Sequence, residues 1–163
     1  MTLHPVDSPA AWHVSEIEND DRWIFRLDDA QRRQMAEAVK AAYVADKELF
    51  DYQGTDFDLG PGMGVIAAAA QEAKTGRGLA VLKGLPRDEV TEDEFRIMNW
   101  AIGLHLGVAR PQGIKSQYMS QVRAVGHTYR AANGRGYNSN ASLDFHTDGC
   151  DIVTLACYNK AKS

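Results

Sequence analysis

The chain is predicted to fold as an α+β protein, on two observations. Helical patterns dominate as far as Gly107, and β-rich apolar runs lie beyond a long polar loop. At 163 residues, with 44% hydrophobic and 25% charged side chains, it has the size and make-up of one ordinary globular domain. No internal repeat or low-complexity tract interrupts that pattern.

The elements follow in order. In "DRWIFRL", Trp23, Phe25 and Leu27 alternate against Ile24 and Arg26, the period of a short strand. "LDDAQRRQMAEAVKAAYVADKELF" opens with Asp28 and Gln31 in capping-box spacing and carries Met35, Val39 and Ala42 on one face, a helix of about four to six turns. The Ala-rich "GVIAAAAQEAKTGRG" predicts a second helix stopping at Gly76, its start blurred by Gly60, Pro61, Gly62 and Gly64. "GLAVLKGLP", an apolar run between glycines and a proline, predicts a buried strand that ends in a turn. "TEDEFRIMNWAIGLHLG" pairs Thr91 with Glu94 as a capping box, lines up Phe95, Met98, Ile102 and Leu106, and stops at Gly107. His105 falls at its C-terminal end, where an imidazole suits the negative pole. Ser116 to Val125 reads as a strand, "GHTYRAANGRGYNSNAS" as a polar loop, and "LDFHTD" and "DIVTLACY" as two further strands.

Charge and composition exclude several classes. The net charge is −4 and no basic stripe is present, so neither nucleic acid nor an anionic membrane is an expected partner. "MTLHPVDSPA" lacks the features of a signal peptide, and "GVIAAAA" is too short to span a bilayer, so a cytoplasmic location is expected. Cys150 and Cys157 fall in an extended stretch, roughly 23 Å apart at about 3.3 Å per residue, too far for a disulfide. They are expected to be free thiols, used as small buried hydrophobes.

The chemistry concentrates in "SLDFHTDGCD". On a strand, positions i and i+2 share a face, so His146 and Asp148 present an imidazole and a carboxylate side by side. That is two-thirds of the 2-His-1-carboxylate facial triad of non-haem iron, or an ordinary hydrogen-bonded pair. Other catalytic patterns are missing: there is no Gly-x-Ser-x-Gly elbow, "GPGMG" lacks phosphate-loop spacing, and no Cys-x-x-Cys offers a zinc site.

"GLAVLKGLP", a helix ending "GLHLGVARPQ", a polar loop, and then "LDFHTDGCDIVTLACYNKAKS" together resemble the taurine dioxygenase (TauD/TfdA-like) family of Fe(II)- and 2-oxoglutarate-dependent oxygenases. The resemblance covers roughly Gly78 to Ser163. It implies a double-stranded β-helix, the jelly roll of clavaminate synthase type, with helices packed outside. Residues 1–77 would be a helical lead-in and 78–163 the first part of the β-helix domain. His146 and Asp148 look like the first two iron ligands, with Thr147 between them structural. Such enzymes use Fe(II), 2-oxoglutarate and O₂, release succinate and CO₂, and hydroxylate a small molecule at an unactivated C–H bond. Around the substrate the resemblance places Gln112, Gln117, Asn140 and Ser142.

The family's second histidine ligand and its 2-oxoglutarate-binding arginine lie downstream of the "AKS" position and are expected beyond Ser163. His4, His13, His105 and His127 are the alternatives for a third ligand within the chain. The expected partners are therefore a small-molecule substrate and the remainder of the same polypeptide, or a second copy. An inactive β-helix or cupin-like module that binds a ligand or a partner is the alternative function.

Overall fold

The computed structural model describes residues 6–111, 117–123, 142 and 145–160. The backbone gathers into two compact units, one of Met1–Val108 with Thr154–Ser163, the other of Ala109–Val153.

The first unit contains α1 (Val14–Ile17), β1 (Ile24–Arg26), α2 (Asp29–Ala42), α3 (Gly62–Thr75), β2 (Val81–Lys83) and α4 (Glu92–Leu106), with single 3₁₀ turns at Leu49–Asp51, Gly54–Asp56 and Arg87–Glu89. Two capping boxes start the long helices where the sequence predicts. Asp28 Oδ1 accepts from Gln31 N at 2.8 Å while Asp28 N donates to Gln31 Oε1 at 2.9 Å. Thr91 Oγ1 accepts from Glu94 N at 3.2 Å, and Thr91 N donates to Glu94 Oε2 at 2.8 Å. Each pair satisfies amides that the first helical turn leaves without partners. Gly76 and Gly107 end α3 and α4 as expected, their N–H groups donating to Glu72 O and Gly103 O.

The core sits where α2, α3 and α4 meet. Met35 and Met98 are wholly buried, and Val39, Ile66, Phe95, Trp100 and Ile102 close around them. A glycine allows the closest approach: a Cβ at Gly62 would lie 2.9 Å from Met35 Sδ. Tyr52, 1% exposed, ties down the chain between α2 and α3, its hydroxyl donating to Val44 O and accepting from Val44 N.

β1 and β2 pair in parallel, with Phe25 opposite Leu82, through a connection that contains α2 and α3. α3 packs on both strands. The expectation that "GLAVLKGLP" forms a buried strand is half right: the strand is there, but Val81 is 37% exposed and Lys83 is exposed. The reason is that, among the described residues, the sheet stops at two strands, so both are edges, and α3 packs on them. Gly84 follows at φ 91°, and a Cβ there would meet Leu27 O at 2.9 Å, so the turn out of β2 requires glycine.

The later strands differ more. Residues 117–123 hold an isolated bridge at Gln117 and no strand, and 145–148 and 152–157 are irregular. β-branched composition favours extended backbone, but a strand exists only where a neighbour completes its hydrogen bonds, and the described residues provide none here. Val153 and Leu155 are correspondingly exposed. Among the described residues no helix is long and apolar enough to cross a membrane.

A charge network joins the N-terminal segment to the end of α3. Arg77 Nη2 donates to Asp20 Oδ2 and its Nη1 to Glu72 Oε1 at 2.7 Å, while its carbonyl accepts from Trp12 Nε1 at 2.8 Å. Arg22 also grips Asp20, with Nε 2.9 Å from Oδ1. Hydrogen bonds from the Arg22 side chain and backbone, reinforced by Arg77, hold the Asp20 carboxyl far below the usual carboxylate range. Those from Arg77 lower Glu72 likewise.

Two outcomes are expected. Both carboxyls have folded-state pKa values below their unfolded ones, so their stabilisation is complete above about pH 5 and is lost as pH falls through about 4 and below. Thermal melts should show a steep acid limb for the wild type and a lower, flatter one for Asp20→Asn; identical limbs would remove the network from the account. Met98→Ala opens a cavity in the wholly buried core and should lower stability by about 2–5 kcal/mol in urea unfolding.

Candidate metal centre

His146 and Asp148 lie in the second unit, in irregular backbone that runs through Phe145 to Gly149. His146 Nε2 is 3.9 Å from Asp148 Oδ1, and the side chains are 52% and 51% exposed. The two groups lie close together, although among the described residues no strand carries them. At 3.9 Å the two atoms stand beyond hydrogen-bonding distance.

On a divalent first-row metal, with bonds of about 2.1 Å to imidazole nitrogen and carboxylate oxygen, ligand atoms stand about 3.0 Å apart in adjacent positions and about 4.2 Å apart in opposite ones, so the pair at 3.9 Å matches neither as it stands. Adjacent octahedral positions would need the pair about 1 Å closer, a movement that half-exposed side chains make by rotamer adjustment. The donor set therefore fits a metal with room for further ligands. Among the described residues no group of three or more His, Cys, Asp or Glu converges on one point.

The backbone just after Asp148 is held from within the same unit. Arg110 Nη1 donates to Gly149 O at 3.3 Å. Sequence reasoning did not single out Arg110; a side chain reaching a distant carbonyl leaves no local pattern to find.

The other expected site residues divide as follows. Gln117 is half-buried, and its Oε1 is buried with no hydrogen-bond partner among the described residues. Ser142 is exposed. Gln112 and Asn140 lie outside the described residues, as do His4 and His127. His105 serves its helix, its Nδ1 lying 2.8 Å from Ala101 O; because a carbonyl only accepts, that nitrogen carries the proton. His13 precedes α1 and donates its backbone N–H to Glu16 Oε2 at 2.6 Å.

Both cysteines are free thiols, as expected, but neither is the buried hydrophobe anticipated. Cys150 is half-buried and Cys157 exposed, because the segment that carries them is not enclosed in a sheet. An open depression of about 580 Å³, lined by Gln53, Gly54, Thr55, Phe57, Asp58 and His105, lies in the first unit and includes neither His146 nor Asp148. It exceeds many ligand sites in volume yet is too open to enclose a molecule, and the candidate chemistry is not in it.

No protein-family model matches the chain. Its sequence is similar to that of FR-33289 synthase from Streptomyces rubellomurinus, 28% identical over 159 residues, which is 97% of this chain and 47% of the relative. The chain thus spans about half the length of the curated relative it matches.

Proposed function

We propose that the chain is the first part of a non-haem Fe(II)- and 2-oxoglutarate-dependent oxygenase that hydroxylates a small molecule, with His146 and Asp148 as two of its three protein ligands. The observation that carries this reading is the pair itself, an imidazole nitrogen and a carboxylate oxygen 3.9 Å apart and half-exposed. Similarity to a synthase along nearly the whole chain supports an enzyme. The second histidine, the arginine that clamps 2-oxoglutarate and the strands that close a jelly roll are assigned to polypeptide beyond the matched half.

The iron, when bound, supplies activation of O₂ coupled to decarboxylation of 2-oxoglutarate. The chain's own residues do the rest. His146 contributes a neutral nitrogen that leaves the metal's charge uncancelled, and Asp148 contributes one negative charge. Because a carboxylate fills that position, it is not vacated for a halide, and hydroxylation is favoured over halogenation. Gln117, expected near the substrate, keeps a buried side-chain oxygen with no hydrogen-bond partner among the described residues.

A ligand-binding module of β-helix or cupin type is the second reading. It is favoured by one observation: the described residues bring together no third metal-binding side chain.

Anaerobic titration of the protein with Fe(II) in the presence of 2-oxoglutarate separates the two. The expected result is a weak visible charge-transfer band that saturates, with His146→Ala and Asp148→Ala each weakening iron binding at least about tenfold. No band in the wild type, or an unchanged band in both variants, would favour the binding module.

A further inference from the structure

The residue that follows Asp148 is held. Gly149 accepts at its carbonyl from Arg110 Nη1, 3.3 Å away, across 39 residues of sequence. Arg110, His146, Asp148 and Gly149 all belong to the second unit. From Phe145 to Asp151 the chain has neither helix nor strand, so no ladder of backbone bonds fixes its path. A side chain that pins Gly149 therefore acts one Cα step, about 3.8 Å, from a proposed ligand residue.

Two properties of the contact define what it can do. Both residues are exposed and the bond is long for N–H···O, so it adds little to the stability of the fold. Arg110 also brings a positive charge toward a proposed cation site, where Coulomb repulsion by itself would weaken binding. The contact helps through the backbone instead. Presenting two side chains to one ion costs conformational freedom, and a peptide already held has less to lose. Glycine has the most freedom of any residue, so Gly149 is where a restraint beside Asp148 removes most.

Resting on the oxygenase reading, we infer that Arg110 is a positioning residue for the His-x-Asp pair. Its guanidinium, which has no acceptor, ligates no metal. By holding the Gly149 carbonyl it limits the freedom that Asp148 surrenders when it and His146 close onto one ion, and this gain outweighs the repulsion of its charge. Position 149 offers an independent handle on the same freedom. No heavy atom lies within 4 Å of where a Cβ would stand at Gly149, and its φ is outside the left-handed region, so an alanine fits there and stiffens the chain.

The experiment is calorimetric titration with Mn(II) alone, on wild type, Arg110→Met, Arg110→Lys, Arg110→Met combined with Gly149→Ala, and His146→Ala. Each is measured at low salt and at about 1 M salt, where charges are screened beyond about 3 Å. At high salt Arg110→Met should bind Mn(II) about two- to fivefold more weakly than wild type, with Arg110→Lys, which keeps a donor, in between. The loss should be smaller at low salt, where removing a positive charge favours the cation. Adding Gly149→Ala should recover part of it. Thermal melts of the variants should coincide, the substituted residues being exposed, and Arg110→Lys repeats the comparison if Arg110→Met melts early. Affinity unchanged or raised at high salt would overturn the inference, as would a loss that Gly149→Ala leaves in full. Wild type that binds Mn(II) no better than His146→Ala would instead overturn the metal site itself, and the positioning role with it.

Discussion

The seam between α2 and α4 is the constraint on which the described fold depends. Met35 and Met98 are wholly buried in it, and Ala36, Val39, Ala101 and Ile102 leave little or no surface to water. Neither helix would persist alone: isolated helices of this length are marginal in water, and their stability comes from the apolar face they bury. With the seam formed, α3 lies close enough to α2 that a Cβ at Gly62 would come within 2.9 Å of Met35 Sδ, and α3 in turn packs on β1 and β2. The ribbon is thus a consequence of the helices. A two-stranded sheet is marginal by itself.

Helix ends were legible in the sequence because capping is local. Asp28 with Gln31 and Thr91 with Glu94 announce their starts within four residues of chain, and each forms the reciprocal bonds that the spacing requires. The burial of "GLAVLKGLP" was not legible in the same way. An apolar run shows that a segment can be buried, whereas burial needs a second layer, and which element supplies it depends on parts of the chain far away. "LDFHTD" and "DIVTLACY" make the same point. Their residue types favour extended backbone, but pairing belongs to two segments at once.

The site was legible to a similar degree. Two residues so close in sequence stay close in space whatever the backbone, and His146 and Asp148 lie 3.9 Å apart even without a sheet. Arg110 on Gly149 escaped notice because it spans a long separation in sequence and ends on a carbonyl, which every residue possesses. Such contacts have no sequence signature on the side of the acceptor.

The geometry of the pair also bears on why it is there. A contact between half-exposed groups 3.9 Å apart is well solvated, and even a fully charged pair of this kind contributes about 0–1 kcal/mol to stability. Neither group is buried, so neither needs the other to offset desolvation. Stability is therefore a weak reason for an imidazole and a carboxylate to stand side by side on an open segment. Under the proposed reading a divalent cation would change that balance, because imidazole nitrogen and carboxylate oxygen are both ordinary ligands for one, and a closure of about 1 Å would bring the two atoms to adjacent positions on it. The exposure that makes the pair worth little to stability is also what gives solvent, and any ion dissolved in it, access to the imidazole and the carboxylate.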